Sequence, residues 1–251
     1  MIGVSCTDFC SRAPEEIWEE VSKEFSHWEI FSEAKHAIGG FLERFLEKKD
    51  SYDMSYSVHA PICEVNIASL NERMREAAVI DIVVTMEVAA AMGAQTVTVH
   101  PGVYSMAVGG MKARAEDLAR LSLKTVSRAA KEYGVTVAVE NMPSIPVMMG
   151  RTPEELGALV EGMDLGICFD IGHANTMGNI DEFLDRFEGK IANVHIHDNN
   201  GDRDAHLTMG EGSIDFRPVV SKLSGYRGNY VIESKSLESA VKSTTALEAL
   251  L

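Results

Sequence analysis

Short apolar runs alternate with longer amphipathic stretches along the whole chain. The runs Ile2–Cys6, Trp28–Phe31, Ser55–His59, Thr96–His100, Thr136–Glu140, Leu165–Asp170, Ile191–His197 and Tyr230–Glu233 are short and mostly rich in β-branched or aromatic residues, and read as strands. Between them Pro14–Phe25, Ala37–Lys49, Asn66–Met92, Lys112–Tyr133, a segment opening at Thr152, Ile180–Phe187, Pro218–Leu223 and Leu237–Leu250 read as helices. Punctuation agrees with the pattern. Pro14 sits at a helix start, and Gly134 stands where a C-terminal cap belongs. Thr152-Pro153-Glu154-Glu155 offers an N-cap, a proline in the first turn and a capping-box glutamate. One long polar loop, Asn199–Asp215, interrupts the rhythm.

Each strand-to-helix unit returns the chain for another parallel strand, because parallel neighbours require a crossover. Eight such units predict a closed (β/α)8 TIM barrel occupying residues 1–251 as a single domain. An open doubly wound sheet is the rival, but no G-x-G-x-x-G follows the first strand. Alternation within the strands favours closure. The sets Ser55/Ser57/His59, Thr96/Thr98/His100, Thr136/Ala138/Glu140 and Gly166/Cys168/Asp170 share one face and are mostly small. The opposite sets, Tyr56/Val58, Val97/Val99, Val137/Val139 and Ile167/Phe169, are bulky and apolar. The bulky face is expected under the helices and the small face in the barrel interior.

Composition narrows the classes. A chain of 251 residues with 45% hydrophobic content supports one large core rather than a disordered segment. No basic segment followed by an apolar run opens the chain, and no apolar stretch approaches the ~20 residues of a membrane helix. The expected compartment is the cytoplasm, and a homo-oligomer stays open. The net charge of −15 opposes nucleic-acid binding, which relies on Lys and Arg displacing phosphate counterions. Cys6, Cys10, Cys63 and Cys168 match no ribbon or redox spacing and are expected as buried free thiols.

The candidate chemistry lies at the strand ends and in the polar loop. Seven segments carry polar residues suited to a cation: S-V-H-A-P at His59, V-H-P-G at His100, V-E-N at Glu140, F-D-I-G-H at Asp170 and His173, H-I-H-D-N at His195 and His197, D-A-H at Asp204 and His206, and I-E-S at Glu233. Histidine and carboxylate with almost no thiolate suit a borderline or hard divalent ion. Strand ends of a barrel converge on one rim, so the seven segments predict one site. Glu140 and Glu233 are candidate acid–base groups as well as ligands. Gly172 is expected to permit a tight turn that aims Asp170 and His173 into one pocket. His197 lies nearer the mouth than His195, which is expected behind it or packed in the core. Arg203 could neutralise an anionic substrate group, and Glu33 could reach the pocket after the second strand.

The ordered series H-P-G, V-E-N, F-D-I-G-H, H-I-H-D-N, D-A-H-L-x-x-G-E-G-S-I-D and I-E-S resembles the xylose isomerase-like barrel superfamily, which includes sugar isomerases, epimerases and endonuclease IV. The sugar-epimerase resemblance implies a divalent ion (Mn, Mg, Co or Zn) held by Glu140, Asp170, His197 and Glu233. It also implies proton exchange by the two glutamates, with His173 and, less securely, Arg203 contacting a sugar or sugar phosphate. The endonuclease IV resemblance implies up to three zinc ions on His59, His100, Glu140, Asp170, His173, His197, Asp204, His206 and Glu233. The acidic charge and the short loops after the first three strands favour the sugar enzyme, with phosphodiester hydrolysis at abasic DNA as the alternative. A sugar-binding barrel without catalysis is the third reading.

Overall fold

A computed structural model describes all 251 residues. Eight parallel strands close on themselves in sequence order: β1 (Ile2–Cys6), β2 (His27–Phe31), β3 (Ser55–His59), β4 (Thr96–Val99), β5 (Thr136–Glu140), β6 (Gly166–Asp170), β7 (Ile191–Ile196) and β8 (Tyr230–Ser234). β8 pairs back onto β1 from Ile2↔Tyr230 to Cys6↔Ser234, which leaves no sheet edge. Around them run α1 (Pro14–Glu24), α2 (Leu42–Lys48), α3 (Glu72–Met92), α4 (Lys112–Tyr133), α5 (Pro153–Val160), α6 (Ile171–Met177), α7 (Ile180–Phe187), α8 (Phe216–Lys222) and α9 (Leu237–Glu248). The predicted (β/α)8 barrel is the fold.

The two strand faces separate as their side chains dictate. Val4, Trp28, Ile30, Tyr56, Val58, Val97, Val99, Val137, Val139, Ile167, Phe169, Val194, Ile196, Tyr230 and Ile232 all join the buried core beneath the helices. The interior face mixes small residues such as Ala138 and Cys168 with buried polar groups. Ser57, Thr98, Glu29, Asn193 and His195 meet there as a buried hydrogen-bonded network, so polar groups occupy space that branched aliphatics fill in most such barrels. At the N-terminal end of the barrel, Gly3 leaves room for the His27 imidazole, which a Cβ there would strike.

Several boundaries differ from the sequence pattern. α3 starts at Glu72 rather than Asn66, because Asn71 caps it by accepting a hydrogen bond from the Arg73 N–H. The stretch from Ala37 resolves into 3-10 turns through Gly40 before α2 begins at Leu42. Thr152 caps α5 as expected, but the Glu155 carboxylate accepts from the Arg151 N–H. All four cysteines are free; Cys6, Cys10 and Cys168 are buried, whereas Cys63 is exposed, against expectation.

Candidate metal centre

The C-terminal strand ends gather a dense cluster of imidazoles and carboxylates. Its floor is Glu140, at the end of β5, fully buried. One of its oxygens, Oε2, lies 2.9 Å from His100 Nε2 and 3.2 Å from His59 Nε2. The other, Oε1, lies 3.1 Å from His195 Nδ1 and 3.6 Å from His173 Nδ1. Burial opposes ionisation of this carboxyl, but the His195 charge and hydrogen bonds from His100, His195 and His59 outweigh it and hold it well below the usual range.

Asp170 ends β6 and begins α6, a helix that the sequence pattern reads as a turn. Its Oδ1 accepts the His173 N–H at 2.6 Å and so caps the helix. Gly172 therefore lies inside a helix, and its role is spatial: a Cβ there would collide with the His197 ring. The cap leaves Asp170 Oδ2 facing the cluster, 3.8 Å from His173 Nδ1 and 3.9 Å from His195 Nδ1. Asn141 supports the same corner, donating to the Asp170 carbonyl and accepting the Asp170 N–H.

The loop after β7 supplies the third wall. Asp198 is fully buried and accepts N–H bonds from Asn199, Gly210, Gly212 and Ile214, which folds the loop back over the rim. A side chain at Gly212 would strike the Asp198 carboxylate. The fold of this loop places Asp204 Oδ2 at 3.3 Å from His173 Nε2 and 3.1 Å from His206 Nε2. His206 takes the left-handed backbone conformation, φ 45°, which non-glycine residues adopt at a cost. Its ring stacks on His197 with centroids 4.0 Å apart. Glu233, at the end of β8, completes the circle with Oε1 3.2 Å from His195 Nδ1 and Oε2 3.7 Å from His206 Nδ1.

The donor atoms fall into overlapping groups, each spanning no more than 4.8 Å: His59, His100 and Glu140; Glu140, Asp170, His195 and Glu233; and His173, His197, Asp204 and His206. A further triad of Glu140, Cys168 and His195 shares the same centre. All nine residues of the longest expected ligand set thus lie in one cluster. Of the four-residue set, Glu140, Asp170 and Glu233 stand together, with His195 as their imidazole. His197 lies across Asp170, its Nε2 3.2 Å from Asp170 Oδ1 and 3.4 Å from Asp204 Oδ1.

The residues present fit a divalent ion. Asp170 Oδ2, Asp204 Oδ1 and both ring nitrogens of His197 are buried without a well-directed hydrogen bond, despite the short approaches of His197 Nε2 to both aspartates, an expensive state for groups that a cation would satisfy. The cavity above the cluster is about 210 Å³ and combines the ligand residues with Phe31, Ile62, Met142 and Met148. Arg203 is exposed and absent from its lining; Lys235 is the cation that lines it. Glu33 turns away, accepting the N–H groups of Ile62 and Cys63. Sequence reasoning missed Glu29 altogether. A glutamate flanked by Trp28 and Ile30 in a buried strand was the available signal.

Residues 20–250 match the Xylose isomerase-like TIM barrel family. The chain belongs to that family. An uncharacterized protein of Methanocaldococcus jannaschii is 38% identical over 99% of this chain and 88% of its own length. A crystal structure of a D-tagatose 3-epimerase-like protein superposes with a TM-score of 0.94 at 36% identity, covering 99% of this chain and 96% of that one. A probable endonuclease 4 of Acholeplasma laidlawii is 27% identical over 70% of this chain and 65% of its own length. The chain is thus similar both to a D-tagatose 3-epimerase-like protein and to a probable endonuclease 4.

Proposed function

We propose that this family member is a divalent-metal-dependent isomerase or epimerase of a sugar or sugar phosphate. The carrying observation is the placement of Glu140 and Glu233, whose carboxylates approach the same His195 nitrogen at 3.1 and 3.2 Å beneath a cavity of small-molecule size. Likeness to the D-tagatose 3-epimerase-like protein supports the same reading. Glu140, Asp170 and Glu233, with an imidazole from β7, would hold the ion. When bound, the ion supplies Lewis acidity to a carbonyl and its neighbouring hydroxyl, which acidifies the hydrogen on the carbon between them.

The chain's own residues then move the proton. One glutamate takes it from the carbon, leaving an enediolate, and the other returns one. Glu233 is the more accessible of the two; Glu140 is enclosed by His59, His100 and His195. His173 and His206 stand at the cavity wall; the Asn141 carbonyl and Asp204 hold both nitrogens of His173, and His206 Nδ1 is the one left to hydrogen-bond a substrate hydroxyl. Phe31, Ile62, Met142 and Met148 limit water at the reacting carbon.

A three-ion phosphodiesterase is the second reading. The specific support is the pair of further ligand groups, around His59 and His100 and around His173, His197, Asp204 and His206, which a one-ion epimerase does not require. Metal content of the native protein, deuterium incorporation from solvent into a panel of ketoses, and cleavage of an abasic duplex separate the two. One ion per chain with deuterium exchange is the expected result. Three ions with strand cleavage and no exchange would replace the sugar reading.

A further inference from the structure

Beneath the cluster lies a carboxylate that the proton transfer above does not use. Glu29 sits mid-strand on β2 and is completely shielded from solvent. Its Oε2 accepts from Ser57 Oγ at 2.8 Å and from Asn193 Nδ2 at 2.7 Å, and Asn193 Nδ2 also lies 3.0 Å from Thr98 Oγ1. Groups from β3 and β7 therefore converge on this buried anion of β2, and Thr98 on β4 braces the Asn193 amide. Its Oε1 lies 2.8 Å from His195 Nε2.

That bond decides which way His195 works. An imidazole that donates Nε2–H to a carboxylate presents Nδ1 as its coordinating nitrogen. The ring's Nδ1 faces Glu140 Oε1 at 3.1 Å, Glu233 Oε1 at 3.2 Å and Asp170 Oδ2 at 3.9 Å. Its position between those three carboxylates is one an ion would share. Ring rotation would break the Glu29 bond and leave a buried carboxylate oxygen unpaired, which is costly.

We propose that Glu29 is a positioning residue: it locks His195, the β7 imidazole of the proposed ion site, with Nε2–H on the Glu29 carboxylate and Nδ1 toward Glu140, Asp170 and Glu233. The inference rests on the metal-dependent reading. It replaces the expectation that His197 fills that place, since His197 faces Asp170 and Asp204 on the side of His173 and His206.

The test uses the full-length protein and cobalt or cadmium as the probe. Chelator competition gives the cobalt affinity of wild type, Glu29→Gln and Ser57→Ala, with far-UV circular dichroism of the metal-free forms as the check on folding. Glu29→Gln is expected to weaken cobalt binding by ~10–100-fold, the usual effect of removing the carboxylate behind a metal-bound histidine. Ser57→Ala should weaken it less. In cadmium-loaded wild type with isotope-labelled histidine, NMR should show cadmium coupled to His195 Nδ1 and a proton retained on Nε2. That measurement needs no variant and stands even where Glu29→Gln does not fold. Unchanged affinity in a folded Glu29→Gln, or coupling through His195 Nε2 or to no atom of His195, overturns the inference. Failure of wild type to bind cobalt or cadmium at all overturns the metal-dependent reading beneath it instead.

Discussion

Two residues carry most of the local chemistry that can be tested by single substitutions. Glu233 holds fewer partners than Glu140 and borders the cavity, so its loss should act on turnover rather than folding. Glu233→Gln is expected to lower kcat by ~10²–10⁴-fold, the range for losing a positioned acid–base group, with the thermal midpoint of the metal-free protein nearly unchanged. Full turnover in that variant would remove Glu233 from the proton transfer. Gly172 acts by being absent: the His197 ring occupies the space a methyl would need. Gly172→Ala should cost ~1–3 kcal/mol by overpacking and push α6 off the His197 ring, moving the ligand candidate Asp170 at the helix cap, read as a lower urea midpoint together with weaker metal binding. The motif D-I-G-H made Asp170 and His173 visible in the sequence. The reason for its glycine was not visible, because the ring it accommodates lies 25 residues further along the chain, just past the end of β7.

At the scale of elements, alternation and capping residues carried the assignment. β-branched runs with small residues on the opposite face located all eight strands within a residue or two. The short helix α6 escaped because it begins directly at the end of β6 with no polar spacer; its cap, Asp170, also reads as a ligand. Two histidines buried at element junctions give this scale its own prediction. His27 on β2 is tied to Ser55 and Ser57, and His36 in a 3-10 turn reaches the Arg12 carbonyl. Burial pulls both from 6.5 down to about 4. They are neutral in the folded protein at a pH where the unfolded chain has taken up protons. The stability they contribute is present above pH 6.5 and is lost as pH falls toward 4, by up to ~1.4 kcal/mol per pH unit for each histidine. Urea titrations of the metal-free protein across that window should show this slope, and His36→Gln should flatten it by one proton. An unchanged slope in the variant would mean that His36 titrates normally in the fold.

For the whole molecule, the cluster concentrates the carboxylates Glu140, Asp170, Asp204 and Glu233 at one rim of a chain already carrying a net charge of −15. A cation bound only by the folded state adds stability by mass action, ~2.7 kcal/mol when the free ion is at a hundred times its Kd. Zinc or manganese is therefore expected to raise the thermal midpoint and a chelator to lower it reversibly. Identical midpoints with and without the ions would count against a metal centre. No helix is long and apolar enough to cross a membrane.

The order of strands and helices, the closure of the barrel and the gathering of Glu140, Asp170 and Glu233 at one rim follow from local properties: side-chain alternation, caps, and polar residues at strand ends. Those properties act over a few residues, so the linear chain displays them. Which imidazole turns toward the shared carboxylates does not follow from them. His195 lies on β7 and His197 two residues on, just past its end, and the position in H-I-H-D-N favoured His197 simply because it is nearer the mouth. Tertiary structure separates them, because Glu29 from β2 meets His195 inside the barrel while the loop after β7 brings Asp204 and His206 against His197. Each choice depends on partners distant in sequence, and only the folded barrel brings those partners within hydrogen-bonding reach.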